Sequence, residues 1–239
     1  MISVGILGSN GRMGRWVSQL ITSDYASRTK LAAQAHRGLW LEPLLSADAV
    51  IDFSSPEGSV ELAELALKSA DKLPVFVIGS TGWKPEQLKT IEALAAKTPV
   101  ILSFNFSTGV LALQRMLKTF APLLTRLGYQ PVMVETHHQH KKDAPSGTAI
   151  MLNRAIEGSA ETGPVQTHSI RSGEVIGNHE VTFYGAAERL VLGHVAQDRS
   201  VFARGALDAA IWATSRREEL SSLKTIISMD RYFDELIRT

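Results

Sequence analysis

Short apolar runs alternate with amphipathic stretches through the first hundred residues. Residues 3–7 read as a buried strand, and 31–35, 49–53, 75–78 and 100–104 as four more. Between them, 12–23, 56–69 and 84–97 place apolar residues at helical spacing, Ile91, Leu94 and Ala95 among them. Strand–helix–strand alternation predicts an α/β domain of Rossmann type, a doubly wound parallel sheet over residues 1–107.

After Gly109 the pattern changes. Residues 110–127 form a long helical run that Pro122 should kink or end. Residues 132–135 then read as a strand and 148–156 as a helix. Between 165 and 197, strand-like segments are separated by Gly173, Gly177, Gly185 and Gly193. Val181 and Phe183, then Leu190 and Leu192, alternate with other residues as half-buried antiparallel strands do. A last long helix is expected over 205–216. Residues 108–216 therefore form a second, α+β domain with a mixed, largely antiparallel sheet.

Composition narrows the function classes. The 239 residues carry Lys+Arg 25 against Asp+Glu 24, a balance that argues against nucleic-acid or membrane-surface partners. With no Cys, thiolate catalysis, disulfides and Cys-ligated zinc are excluded. No apolar run is long enough for a membrane span, and the opening segment lacks a signal peptide's basic region, so a cytoplasmic protein is expected.

The chemistry concentrates in two motifs. Gly8-Ser-Asn-Gly11-Arg-Met-Gly14 follows the first strand and opens the first helix, the context of a dinucleotide-binding turn. Its spacing is G-x-x-G-x-x-G rather than G-x-G-x-x-G, and a plain strand–helix turn competes with that reading. The second strand ends Gln34-Ala-His36-Arg37-Gly38, without the acid that favours NAD. Arg37, with Arg12, can pair with the 2′-phosphate of NADPH; a solvated pair of side chains is the alternative. The lean is to NADPH, with NADH open.

The second motif runs Glu135-Thr-His137-His138-Gln-His140-Lys141-Lys142-Asp143-Ala-Pro145-Ser146-Gly147-Thr148-Ala149. Proton-transfer groups here adjoin a helix start whose N–H groups, those of Gly147 and Thr148, suit a carboxylate. The strand is expected to end near Glu135, leaving a loop to aim two of the three imidazoles inward. Asp143 or Ser146 can cap the helix, with Pro145 in its first turn. A zinc site on His138 and His140, a solvated basic loop and hydrolysis by Ser146 compete with the proton-transfer reading. No metal is expected.

With these motifs in hand, the chain resembles the dihydrodipicolinate (4-hydroxy-tetrahydrodipicolinate) reductases of the diaminopimelate route to lysine. The likeness also covers Asp52-Phe-Ser-Ser-Pro56, Gly79-Ser-Thr-Gly-Trp83, Asn105-Phe-Ser107, the segment from Arg171 to His179, and Phe202-Ala-Arg-Gly-Ala206. The resemblance implies that His137 is the proton donor/acceptor and Lys141 a second proton donor. It implies substrate contacts at His138, Gly147 and Thr148. Cofactor contacts fall at Gly8, Ser9, Asn10, Gly11, Arg12 and Met13, at Gly79, Ser80 and Thr81, and at Ser103, Phe104, Asn105 and Phe106. Arg37 matches the position that meets the NADPH phosphate.

The resemblance further implies a small dicarboxylate substrate and a homotetramer built through the second sheet. It also returns the last segment, about 217–239, to the nucleotide domain. Two departures stand out: only ten residues separate Arg37 from Asp48, where the family inserts a further strand and helix, and His36 replaces the family's acid. The expected function is NAD(P)H-dependent reduction of 4-hydroxy-tetrahydrodipicolinate to tetrahydrodipicolinate. A reductase of another imino or keto acid and a catalytically silent NADPH-binding regulator are the alternatives.

Overall fold

The apolar runs of the first hundred residues become five parallel strands: β1 (Ile2–Leu7), β2 (Thr29–Ala35), β3 (Ala49–Asp52), β4 (Val75–Ile78) and β5 (Val100–Leu102). Their order is β2-β1-β3-β4-β5, every pair parallel. The computed structural model describes residues 1–69, 72–158, 160 and 163–238. Every residue of β3 and β4 is buried, as strands covered on both faces must be. Helices α1 (Arg12–Thr22), α2 (Pro56–Lys68) and α3 (Pro85–Ala95) follow β1, β3 and β4. Between β2 and β3 only a short 3-10 turn, Glu42–Ser46, intervenes, so the trimmed segment holds no extra strand.

Two compact units emerge, Met1–Ser107 with the chain from Ser200 onward, and Thr108–Arg199. The return to the first unit thus begins at Ser200, earlier than the expected 217. The helix expected at 205–216 starts at Ser200 and packs beside α1 over β3 and β4. Doubly wound sheets need helices on both faces, and after β5 the chain leaves before supplying one. The helix Ser200–Ser215 fills that gap with Ala203, Ala206, Ala209, Ala210 and Ala213, all fully buried.

The second unit carries a four-stranded mixed sheet. β6 (Gln130–His137) pairs in parallel with β7 (Gln166–Arg171) and antiparallel with β8 (Asn178–Tyr184), which pairs antiparallel with β9 (Arg189–Val195). Helices α4 (Thr108–Arg126) and α5 (Gly147–Glu157) complete its core, where Leu113, Leu117, Met133, Leu152, Ile156, Val181 and Phe183 pack together. Three local expectations change. Pro122 does not end α4, which runs four residues further. Gly193 lies within β9 rather than between strands. Above all, β6 continues two residues past Glu135 and ends on His137.

Candidate active site

In the first unit, the turn from β1 to α1 sits where the strand order reverses, the place open α/β sheets bind ligands. Gly8 has φ +83, and a side chain there would lie 2.8 Å from the backbone of Phe53. Glycine therefore lets the two turns at the switch point touch. No side chain caps α1, and its first turn carries no acid, so its positive end is left for an anion. Ser9 is buried and its hydroxyl donates to the Ala35 carbonyl, while Asn10, Gly11 and Arg12 are exposed and Met13 half-buried.

The neighbouring turns are tied together by Asp52, which the sequence reading named within the family likeness but gave no role. Asp52 is buried at the end of β3 and accepts from the Ser54 N–H and hydroxyl and from the Ser59 hydroxyl. Burial raises its carboxyl above the usual range, and these hydrogen bonds oppose the rise. Ser59 in turn lies 3.0 Å from the Ser80 hydroxyl, linking the turn after β3 to the Gly79-Ser80-Thr81 turn after β4. Beyond β5, Ser103 bonds Asn105, Phe104 is exposed, and Phe106 is buried against Phe53. Arg37 and His36 line a cavity of about 630 Å³ with Trp40, Ser54 and Glu61.

In the second unit, strand periodicity decides the site. Met133, Glu135 and His137 alternate onto the buried face of β6, so Glu135 and His137 stand side by side. The Glu135 carboxylate accepts from His137 Nδ1 and from Arg171 at both oxygens, 2.7 Å from Nη2 and 3.0 Å from Nη1. The Ser146 N–H donates to it as well, at 3.2 Å. Burial would raise the Glu135 carboxyl, but hydrogen bonds from Arg171, Ser169 and His137 prevail and hold it at about 2. Burial lowers the His137 imidazole; Glu135 opposes this, while Lys141 and Arg171 add to it. His179, ring to ring with His137 at 5.1 Å, is held at about 3 by burial and then by repulsion from His137.

Lys141 pairs with Asp143 at 2.8 Å. Burial would raise the Asp143 carboxyl, but the Lys141 ammonium and, more weakly, the Gly147 N–H lower it. Asp143 therefore turns to Lys141 and is not the cap of α5. Ser146 is the cap, accepting from the Ala149 N–H, and Pro145 precedes the helix instead of entering its first turn. His138 is half-buried and Thr148 lies in the first turn of α5. His138 and His140 have ring centroids 6.4 Å apart in the turn after β6.

Residues 2–106 match the family described as dihydrodipicolinate reductase, N-terminus, and residues 109–227 match the corresponding C-terminus. The chain belongs to the dihydrodipicolinate reductase family. The 4-hydroxy-tetrahydrodipicolinate reductase of Caulobacter vibrioides is 37% identical, over 96% of this chain and 98% of its own. That of Dinoroseobacter shibae is 34% identical, covering 88% and 92%. Among solved structures, a dipicolinate-bound dihydrodipicolinate reductase from Paenisporosarcina sp. TG-14 shares the fold. Its TM-score is 0.75 at 23% identity, over 95% of this chain and 97% of that one. As a member of the family, the chain is an NAD(P)H-dependent oxidoreductase of the diaminopimelate route to lysine.

Within this dihydrodipicolinate reductase fold, His137, Lys141, Gly147 and Thr148 all lie on the segment from the end of β6 to the start of α5. Sequence reading missed Glu135, Arg171 and His179 as partners of His137. One signal was present, since residues two apart on a strand share a face. Glu135, His137 and His179 also bring ligand atoms within 4.8 Å of one another. The guanidinium forked onto Glu135 would repel a cation there, so hydrogen bonding is the better reading of this trio. No helix among the described residues is long and apolar enough to cross a membrane.

Proposed function

We propose that the chain reduces 4-hydroxy-tetrahydrodipicolinate to tetrahydrodipicolinate, the first unit holding NAD(P)H and the second the ring dicarboxylate. The carrying observation is a buried imidazole, His137, at a strand end, followed by Lys141 and the N-terminus of α5, in a chain matching both halves of the family. When bound, the nicotinamide supplies a hydride. The chain's own groups handle the rest: His137 and Lys141 deliver or take up protons as water leaves and the ring is reduced. His138 and the N–H groups of Gly147 and Thr148, at the start of α5, hold a carboxylate. The dipicolinate carried by the Paenisporosarcina relative is a ring dicarboxylate of this class.

The pyrophosphate lies on the Gly8–Met13 turn, with further contacts from Gly79, Ser80, Thr81 and residues 103–106. NADPH is the favoured cofactor: Arg37, exposed at the mouth of its cavity and with no acid beside it on β2, meets the 2′-phosphate. Arg37→Ala should weaken NADPH by about 10–100-fold in titration calorimetry and leave NADH unchanged. Equal losses for both cofactors would overturn the assignment. A homotetramer is built through the second sheet, whose Ile170, Leu190, Val191 and Val195 are exposed apolar residues.

The deciding experiment follows cofactor absorbance with synthase-generated substrate. His137→Ala and Lys141→Ala should each lose about 10²–10⁴ in rate, the range for removing a positioned acid or base. Full turnover in both variants rejects the roles, and turnover only with other imino or keto acids rejects the substrate.

A further inference from the structure

Glu135 has no place in the chemistry so far described, yet it is fully buried and makes contacts from three directions. His137 donates to it from two residues along β6. Arg171 reaches it from β7, whose parallel register sets Arg171 beside His137, and the Ser146 N–H reaches it from the start of α5. A buried ion pair of this kind is an expensive way to fill a core, and apolar side chains of similar volume do so at least as well. Its value lies in what it does to the imidazole.

We propose that Glu135 is a positioning residue for His137: its carboxylate, kept ionised by Arg171, accepts the Nδ1 proton and leaves Nε2 as the atom that exchanges a proton with substrate. The logic is that of carboxylate–histidine pairs in general, where the acid fixes the tautomer and steadies the imidazolium without becoming protonated itself. When Nε2 gives up its proton, the neutral ring keeps its Nδ1 proton on Glu135, so a single proton moves and the carboxylate stays charged. Gly177 packs beside that atom: a side chain there would lie 3.1 Å from it, so glycine keeps Nε2 free of a side-chain contact.

Arg171 has a second effect. Its charge offsets much of the carboxylate's pull, so Glu135 orients the ring without raising its proton affinity unopposed. The charged and titratable groups around the ring are Glu135, Arg171, Lys141 and His179, with His194 facing His179. Glu135 favours the imidazolium, whereas Arg171, Lys141 and burial disfavour it. Opposite signs follow for the two substitutions. Glu135→Gln lowers the His137 titration midpoint, and Arg171→Gln raises it.

This inference rests on His137 being the proton-exchanging group, and the test separates the two. The His137 ring resonance of the full-length protein, identified by its loss in His137→Asn, is titrated in wild type, Glu135→Gln, Arg171→Gln and the double variant. Rates are measured alongside. The double variant leaves no unpaired buried charge and so guards against a fold that fails in either single one. Expected are midpoints displaced in opposite directions, and a kcat lower by about 10–100-fold in Glu135→Gln and the double variant with KM little changed. A neutral ring protonated at Nε2 in wild type, or a folded Glu135→Gln with wild-type midpoint and kcat, overturns the inference. If His137→Ala itself turns over normally, the reading of His137 falls and this inference falls with it. A dead His137→Ala beside a fully active Glu135→Gln removes the inference alone.

Discussion

His179 is buried with its Nε2 3.1 Å from the Ser146 hydroxyl and its imidazole held at about 3, against an ordinary 6.5. Since the folded value is depressed, the unfolded chain takes up this proton first as pH falls. The stability His179 contributes is full above 6.5 and declines as pH drops toward 3, by at most about 1.4 kcal/mol per pH unit. Glu135, held at about 2, begins to act in the same direction only below its ordinary 4.5. Between pH 6.5 and 4.5 the difference in urea stability between wild type and His179→Gln should therefore shrink or change sign; a constant difference would refute it. Gly177→Ala should press the His137 ring aside by a few tenths of an ångström and reduce kcat about ten-fold, with folding retained by circular dichroism. Residue type and spacing singled out the segment that carries His137 and Lys141, and the family resemblance distinguished these two within it. Arg171 and His179 were not legible, because strand pairing over 34 and 42 positions of sequence brings them to His137, and side-chain type alone does not announce a partner.

The helix Ser200–Ser215 shows what a run of small residues does. A side chain at Gly205 would stand 1.8 Å from the Phe106 carbonyl oxygen, so the helix lies directly on the turn after β5. Gly205→Ala should cost at least about 1–3 kcal/mol in denaturant unfolding, since backbone rather than a movable side chain blocks the space. It should also disturb the Ser103–Phe106 turn and weaken cofactor binding. Wild-type stability would show that the helix can shift. Most elements were readable from periodicity alone: the buried runs of β1, β3 and β4 and the amphipathic α1 lie within two residues of expectation. The end of β6 was not. Pairing with β7 and β8 carries that strand to His137, past the point where its apolar residues stop.

The first unit is assembled from two stretches of chain, with the second unit inserted between them. A fragment of residues 1–107 lacks the helix that covers β3 and β4, and so exposes apolar surface that the whole protein buries. It should be poorly folded by proton NMR dispersion and protease resistance, whereas addition of residues 200–239 in trans should restore protection; a stable isolated fragment would contradict this. The order of residues by itself determined the fold class, the glycine turn and the histidine–lysine segment ahead of α5, because periodicity, turn chemistry and residue type act over a few neighbouring positions. Tertiary structure alone decided where the last long helix belongs and which acid and which arginine bear on His137. Those depend on which surfaces are left uncovered and which strands pair, and neither is a local property of the chain.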